Sequence, residues 1–229
     1  MRIQGALKNL NHRVARSTIA KILREQGIPP SRERPMAWRT FLRAHWQALV
    51  AADFFTTEVW TSRGLVTYYT ACVIELHSRR VFILGSTPHP DEAFMVQTLR
   101  NLTDVDGVLG PNRLLICDRD RKWSAAIRFL EMAGVRVIRT PHHAPNRNAH
   151  AERFVRSLKE ECLDRIVPIG EAHLRRTLNE YVAHYHGERN HQRPDNELID
   201  GSTRWHAGGR VRRRERLGGV LSYYYRAAA

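Results

Sequence analysis

Three acids stand where carboxylates are costly: Asp53 inside the apolar run VAADFF, Asp118 closing LLICD, and Glu152 early in NAHAERFVRSLKEE. A carboxylate in a strand-like apolar stretch loses its hydration unless a cation or hydrogen bonds replace it. Acids on neighbouring strands can share a hard divalent ion. Mg²⁺ prefers oxygen donors and commonly takes one or two protein carboxylates, leaving positions for water and phosphate oxygens. Glu152, one helix later, would complete an acidic triad. Such a set suits phosphodiester chemistry, in which one ion activates an attacking water or hydroxyl and a second stabilises the leaving oxygen, about 3.5–4 Å away.

Glu152 is set among Arg147, Arg153, Arg156 and Lys159. Helical spacing of Ala151, Val155, Leu158 and Cys162 predicts a core stripe, with Glu152, Arg156 and Lys159 along the adjacent face. Two readings of Glu152 stay open at this level. In one it holds metal while the cations hold phosphate. In the other it complements the helix dipole and pairs with Arg156, an i, i+4 contact worth only about 0.3–0.5 kcal/mol.

The chain has 229 residues, 42% hydrophobic, with 37 Lys and Arg against 23 Asp and Glu and a formal charge of +14. That content supports a buried core, and the excess of cations favours a polyanionic partner, nucleic acid before an anionic membrane. No stretch reads as a signal peptide or spanning helix, so the expected location is cytoplasmic, without a membrane partner. Cys72, Cys117 and Cys162 are widely spaced among apolar residues and read as buried, reduced thiols; without a CxxC pair a zinc ribbon is not expected. The 12 histidines, His142, His143, His184 and His186 among them, are expected to be solvated or to contact phosphate rather than to bind zinc. The tryptophans read as core residues, with base stacking by Trp123 as a secondary reading. No Gly-rich phosphate loop occurs, so no nucleotide cofactor is expected.

The elements that must position the acids can be traced in order. Residues 1–27 read as a helix-turn-helix remnant, with Ser17 as N-cap, Ile19, Ile22 and Leu23 apolar, and Arg16, Thr18, Lys21 and Arg24 facing a DNA groove. Residues 28–45 hold a linker, IPPSRERP, and a short helix. Runs at 49–55, 65–76 and 79–87 predict an antiparallel meander; 91–102 a helix; 113–118 and 135–140 buried strands around a helix closed by Gly134. From 148 the chain reads as helical to about 187, broken near VPIG. This is a mixed α/β sheet, three antiparallel strands followed by alternating helix and strand, in a core spanning 46–200. Residues 201–229 read as a basic tail, in which RVRRRER is either a phosphate contact or a solvated face, and YYYR either a terminal strand or an oligomer contact.

DFF at 53, CDRDRKW at 117–123 and APNRNAHAERFVRSLKEECLDR at 144–165 together resemble the DDE motifs of insertion-sequence transposases, which share a catalytic core with retroviral integrases. The resemblance covers most of the chain and implies an RNase H-like sheet. It implies that Asp53, Asp118 and Glu152 are the catalytic acids and metal ligands, with two Mg²⁺ or Mn²⁺ ions. Asp120 stands where many relatives have glycine and is not assigned as a ligand. The spacing from Asp118 to Glu152 is slightly short for the family. Arg156 and Lys159 match positions near the DNA end, and Asn146 and Asn148 fall in the loop that places that end. The implied activity is cleavage at transposon ends followed by strand transfer into target DNA, by a homo-oligomer, in a prokaryotic nucleoid. Related chains usually begin with a longer DNA-binding region, which makes the opening segment read as shortened. The alternative function is an inert, DNA-binding transposase remnant that represses transposition; a ribonuclease for RNA–DNA hybrids is a third.

Overall fold

The computed structural model describes residues 4, 7, 9–10, 12–27, 38–103, 108–118, 123–140, 148–191, 198–200 and 209–226. The chain divides into two compact units, Met1–Ala44 and His45–Ala229. In the first, α1 (Arg16–Glu25) and α2 (Trp38–Ala44) are short helices without a buried residue. The cap of α1 is Ala15, and no side chain caps it. The expected Ser17 cap is therefore corrected. On its apolar face Ile19 and Leu23 are half-buried, while Ile22 is 51% exposed. Arg16, Thr18, Lys21 and Arg24 are all exposed on α1.

The second unit is built on a five-stranded sheet ordered β3-β2-β1-β4-β5. β1 (Leu49–Thr61), β2 (Gly64–Glu75) and β3 (Val81–Thr87) form an antiparallel meander. β4 (Leu114–Cys117) joins β1 in parallel, and β5 (Arg136–Arg139) joins β4 in parallel. The strands run longer than the apolar pattern suggests at Thr61, because the outer half of β1 alternates buried and exposed residues over the β2 hairpin. The inner half, Leu49–Ala52, is buried throughout, as a central strand covered on both faces requires. Helices α3 (Glu92–Thr103) and α4 (Trp123–Met132) pack a core of Val50, Ala52, Val73, Met95, Leu99, Leu115 and Trp123. Gly85 of β3 lies close under α3: a Cβ there would meet the Phe94 ring at 3.1 Å. Trp123 is 1% exposed and packs on Phe54, so the base-stacking reading is withdrawn in favour of the core.

Helices α5 (Ala149–Glu161) and α6 (Gly170–Gly187) follow, joined through a 3₁₀ turn at Leu163–Arg165. The buried stripe of α5 is Ala151, Phe154 and Leu158, continuing to Cys162. Phe154 replaces the expected Val155 because its ring is the one that meets Tyr181 and Tyr185 of α6. The basic tail is an ordered hairpin of β6 (Val211–Arg216) and β7 (Leu221–Arg226). It is tied to α6 by Arg216, which pairs with Glu180 and with buried Glu188; Arg214 and His184 also reach Glu188. All three cysteines are buried and free. No helix among the described residues is long and apolar enough to cross a membrane.

Candidate active site

Strand register brings the first two acids together. The parallel ladder pairs Leu49 with Leu114, Val50 with Leu115 and Ala51 with Ile116. The same offset, carried two residues past the end of the ladder, would set Asp53 beside Asp118, whose charge is felt at Asp53. Side chains alternate along a strand, so both acids then share a face with Ala51 and Ile116. Asp53 itself sits in the middle of β1, opposite Cys72 of β2. Its Oδ1 accepts the Phe54 amide at 2.9 Å.

Helix α5 brings the third acid. Its first residues are fixed against β1 by Asn148, whose Nδ2 donates to the Ala52 carbonyl at 2.9 Å. The His150 ring stands edge-on to Trp46, with centroids 5.3 Å apart. At the far end Glu161 accepts a two-pronged contact from Arg189 (2.6–3.1 Å) and the Tyr181 hydroxyl (3.1 Å). Glu152 lies in the first turn of this clamped helix. It opens with Asp53 into one cleft of about 400 Å³, also lined by Val155, Arg156, Lys159, Glu160 and Asp164.

The electrostatics of Asp53 report on all three acids. Burial raises its carboxyl to about 6; the Phe54 amide and Lys159 work against this, while the charges of Asp118 and Glu152 add to it. A carboxylate held this way is relieved by a nearby cation. The donor set is oxygen only, which fits a hard divalent ion rather than zinc. Asp53 and Glu152 thus offer the kind of donor that Mg²⁺ or Mn²⁺ takes. The expected chelate is nevertheless open: among the described residues no three His, Cys, Asp or Glu side chains approach closely enough to hold one ion. Asp118 does not line the cleft that Asp53 and Glu152 share.

The other expected site residues divide. Arg156 and Lys159 line the cleft one and two turns beyond Glu152. Asn146 lies outside the described residues. Asn148 is 6% exposed, and its amide is engaged with β1. Arg16, Thr18, Lys21 and Arg24 are on the separate N-terminal unit, where Arg16 is bonded to Gln4 and Lys21 lies 3.9 Å from Glu25. His184 is an acid-paired core residue, and His186 accepts the Val81 amide at 2.9 Å. Sequence reasoning missed Glu160 and Asp164 as cleft residues. Glu160 was within reach, two helical turns beyond Glu152; Asp164 was not, because it follows the end of α5.

Comparison with known proteins adds to this geometry. Residues 133–196 match the integrase core domain family. No curated protein matches the chain. Among solved structures, the simian T-cell lymphotropic virus intasome bound to PP2A regulatory subunit B56 gamma contains a chain similar in fold. It has a TM-score of 0.50 at 10% identity, covering 79% of this chain and 67% of that one. The catalytic core domain of BIV integrase is also similar, with a TM-score of 0.43 at 16% identity over 63% of this chain and 87% of that one. So is the HTLV-2 integrase catalytic core domain in complex with magnesium, with a TM-score of 0.48 at 10% identity over 68% and 94%.

Proposed function

We propose that the chain is a DDE-type DNA transposase: residues 133–196 match the integrase core domain family, and the mixed five-stranded sheet ordered β3-β2-β1-β4-β5 fits an RNase H-like core. Its reaction would be cleavage at the ends of an insertion sequence followed by transfer of the 3′-hydroxyl into target DNA. One observation carries this reading: Asp53 and Glu152 open into the same cleft as Arg156 and Lys159. Acids and cations with one shared opening suit a phosphodiester held by its charge and attacked at its phosphorus.

Asp53, Asp118 and Glu152 would hold two Mg²⁺ or Mn²⁺ ions, which supply an activated attacking oxygen and a stabilised leaving oxygen. Arg156 and Lys159 would bind the phosphates flanking the reactive one. The Phe54 amide keeps the Asp53 carboxylate turned to a fixed position on β1. The exposed cations of α1 would add sequence-independent DNA affinity. Joining two ends calls for at least two copies of the chain during the reaction.

The test is strand transfer with an oligonucleotide duplex carrying the element end. Glu152→Gln should abolish Mg²⁺- or Mn²⁺-dependent joining while leaving DNA affinity within about twofold. That affinity should fall steeply between about 50 and 200 mM salt. DNA binding by the unaltered protein without joining under either metal would instead identify the chain as an inert, repressing remnant. Preferential cutting of RNA–DNA hybrid would identify a ribonuclease.

A further inference from the structure

Asn148 occupies the N-cap position of α5, where an asparagine ordinarily accepts a backbone amide of the helix's first turn through its side chain. It makes no such bond. Its Nδ2 instead donates to the carbonyl of Ala52, and its Oδ1 is buried without a partner among the described residues. The acceptor is a carbonyl, so the orientation of the amide is not in doubt. The side chain has given up its local bond, and left one atom unsatisfied, to make a single contact with a strand 96 positions earlier in the chain. Buried polar groups are left unsatisfied in this way where another requirement dominates.

The two ends of that contact define the requirement. Ala52 immediately precedes Asp53. Asn148 precedes Glu152 by one helical turn. The β1–β4 ladder ends at Ala51 and Ile116, and the Asn148 amide takes up the Ala52 carbonyl beyond it. The contact thus continues the line of strand pairing into the start of α5. We infer that Asn148 is a positioning residue: it fixes the separation of Asp53 from Glu152, and so the geometry with which the two acids receive a divalent cation. This rests on the function proposed above, and it assigns Asn148 to the metal site rather than to DNA.

The experiment compares Asn148→Ala, which removes the donor, with Asn148→Ser, which keeps a hydroxyl donor and covers the case in which the alanine variant fails to fold. Three quantities, and strand transfer besides, are measured on the full chain. The first is amide hydrogen exchange at residues 149–152 without metal, expected to speed up at least about tenfold in the alanine variant. The second is Mn²⁺ affinity by calorimetry, expected to fall about 10- to 100-fold, as when a group that orients a metal ligand is lost. The serine variant should fall less on both measures. The third is affinity for duplex DNA in EDTA, expected to stay within about twofold, with strand transfer by the alanine variant restored at raised Mn²⁺. Unchanged exchange overturns the tether, and so does a loss of DNA affinity with Mn²⁺ binding intact. Faster exchange in a protein whose unaltered form binds no Mn²⁺ would keep the tether, overturn its assignment to a metal site, and sink the proposed function.

Discussion

Replacing Asp53 by Asn should stabilise the metal-free protein at neutral pH, the reverse of what loss of a partly buried polar group in a central strand normally does. The Asp53 carboxyl is raised from 3.8 to about 6, chiefly by burial, with Asp118 and Glu152 adding their charge. At about 1.4 kcal/mol per pH unit, ionising it in the folded protein costs at most about 3 kcal/mol. Its partial exposure reduces this, so about 1–2 kcal/mol is the working figure. Between pH 3.8 and about 6 the folded state holds more of the Asp53 proton than the unfolded state does. Stability therefore falls as pH rises through that window, and the loss is complete above it. Asn carries no such charge. Its Oδ1 can still accept the Phe54 amide, so the local hydrogen bond need not be lost.

Urea unfolding in EDTA at pH 4 and pH 7.5 measures the effect. Asp53→Asn should be more stable than the unaltered protein by about 1–2 kcal/mol at the higher pH, and nearly equal at the lower. Mn²⁺ should then raise the stability of the unaltered protein and leave the variant almost unmoved. An Asn variant less stable at pH 7.5 would refute the reasoning, because Asp53 would then be a satisfied structural carboxylate with no need of a cation.

Two further outcomes follow from the packing around the site. Burial alone would raise the Glu188 carboxyl, yet bonds from Arg216, His184 and Arg214 hold it down at about 2 from 4.5. Its folded value is depressed, so roughly 3 kcal/mol should be present above pH 4.5 and be lost as pH falls toward 2. In urea unfolding, the gap between the unaltered protein and Glu188→Gln should shrink from about 3 kcal/mol at pH 7 to about 1 kcal/mol at pH 3; a constant gap would contradict this. Gly85→Ala forces the Phe94 ring, 3.1 Å from the new Cβ, to shift, and the same measurement should show a loss of about 1–3 kcal/mol.

What could be read from the residues alone was local in origin. The meander, the helix at 92–103 and the acids interrupting β1 and following β4 all follow from periodicity and from the cost of burying charge. The errors arise where a choice is made by something distant. Val155 and Phe154 both satisfy helical spacing after Ala151, at i+4 and i+3, and the two tyrosines of α6 decide between them. Asn148 lies in a polar, Asn-rich stretch that suits a DNA-facing loop, and its amide is engaged on the central strand. Glu188 follows the helical stretch without marking itself, and only the hairpin that folds back from Arg214 and Arg216 makes it a buried anchor. The pairing of β1 with β4 is of the same kind. No composition or period reports that Leu49 lies beside Leu114. Once that single register is set, however, Asp53 and Asp118 must share a face, and a one-residue slip would send Asp118 to the opposite side of the sheet. The catalytic reading therefore depends on the hydrophobic pattern of LLIC as much as on the acid that follows it, because that pattern is what holds the register.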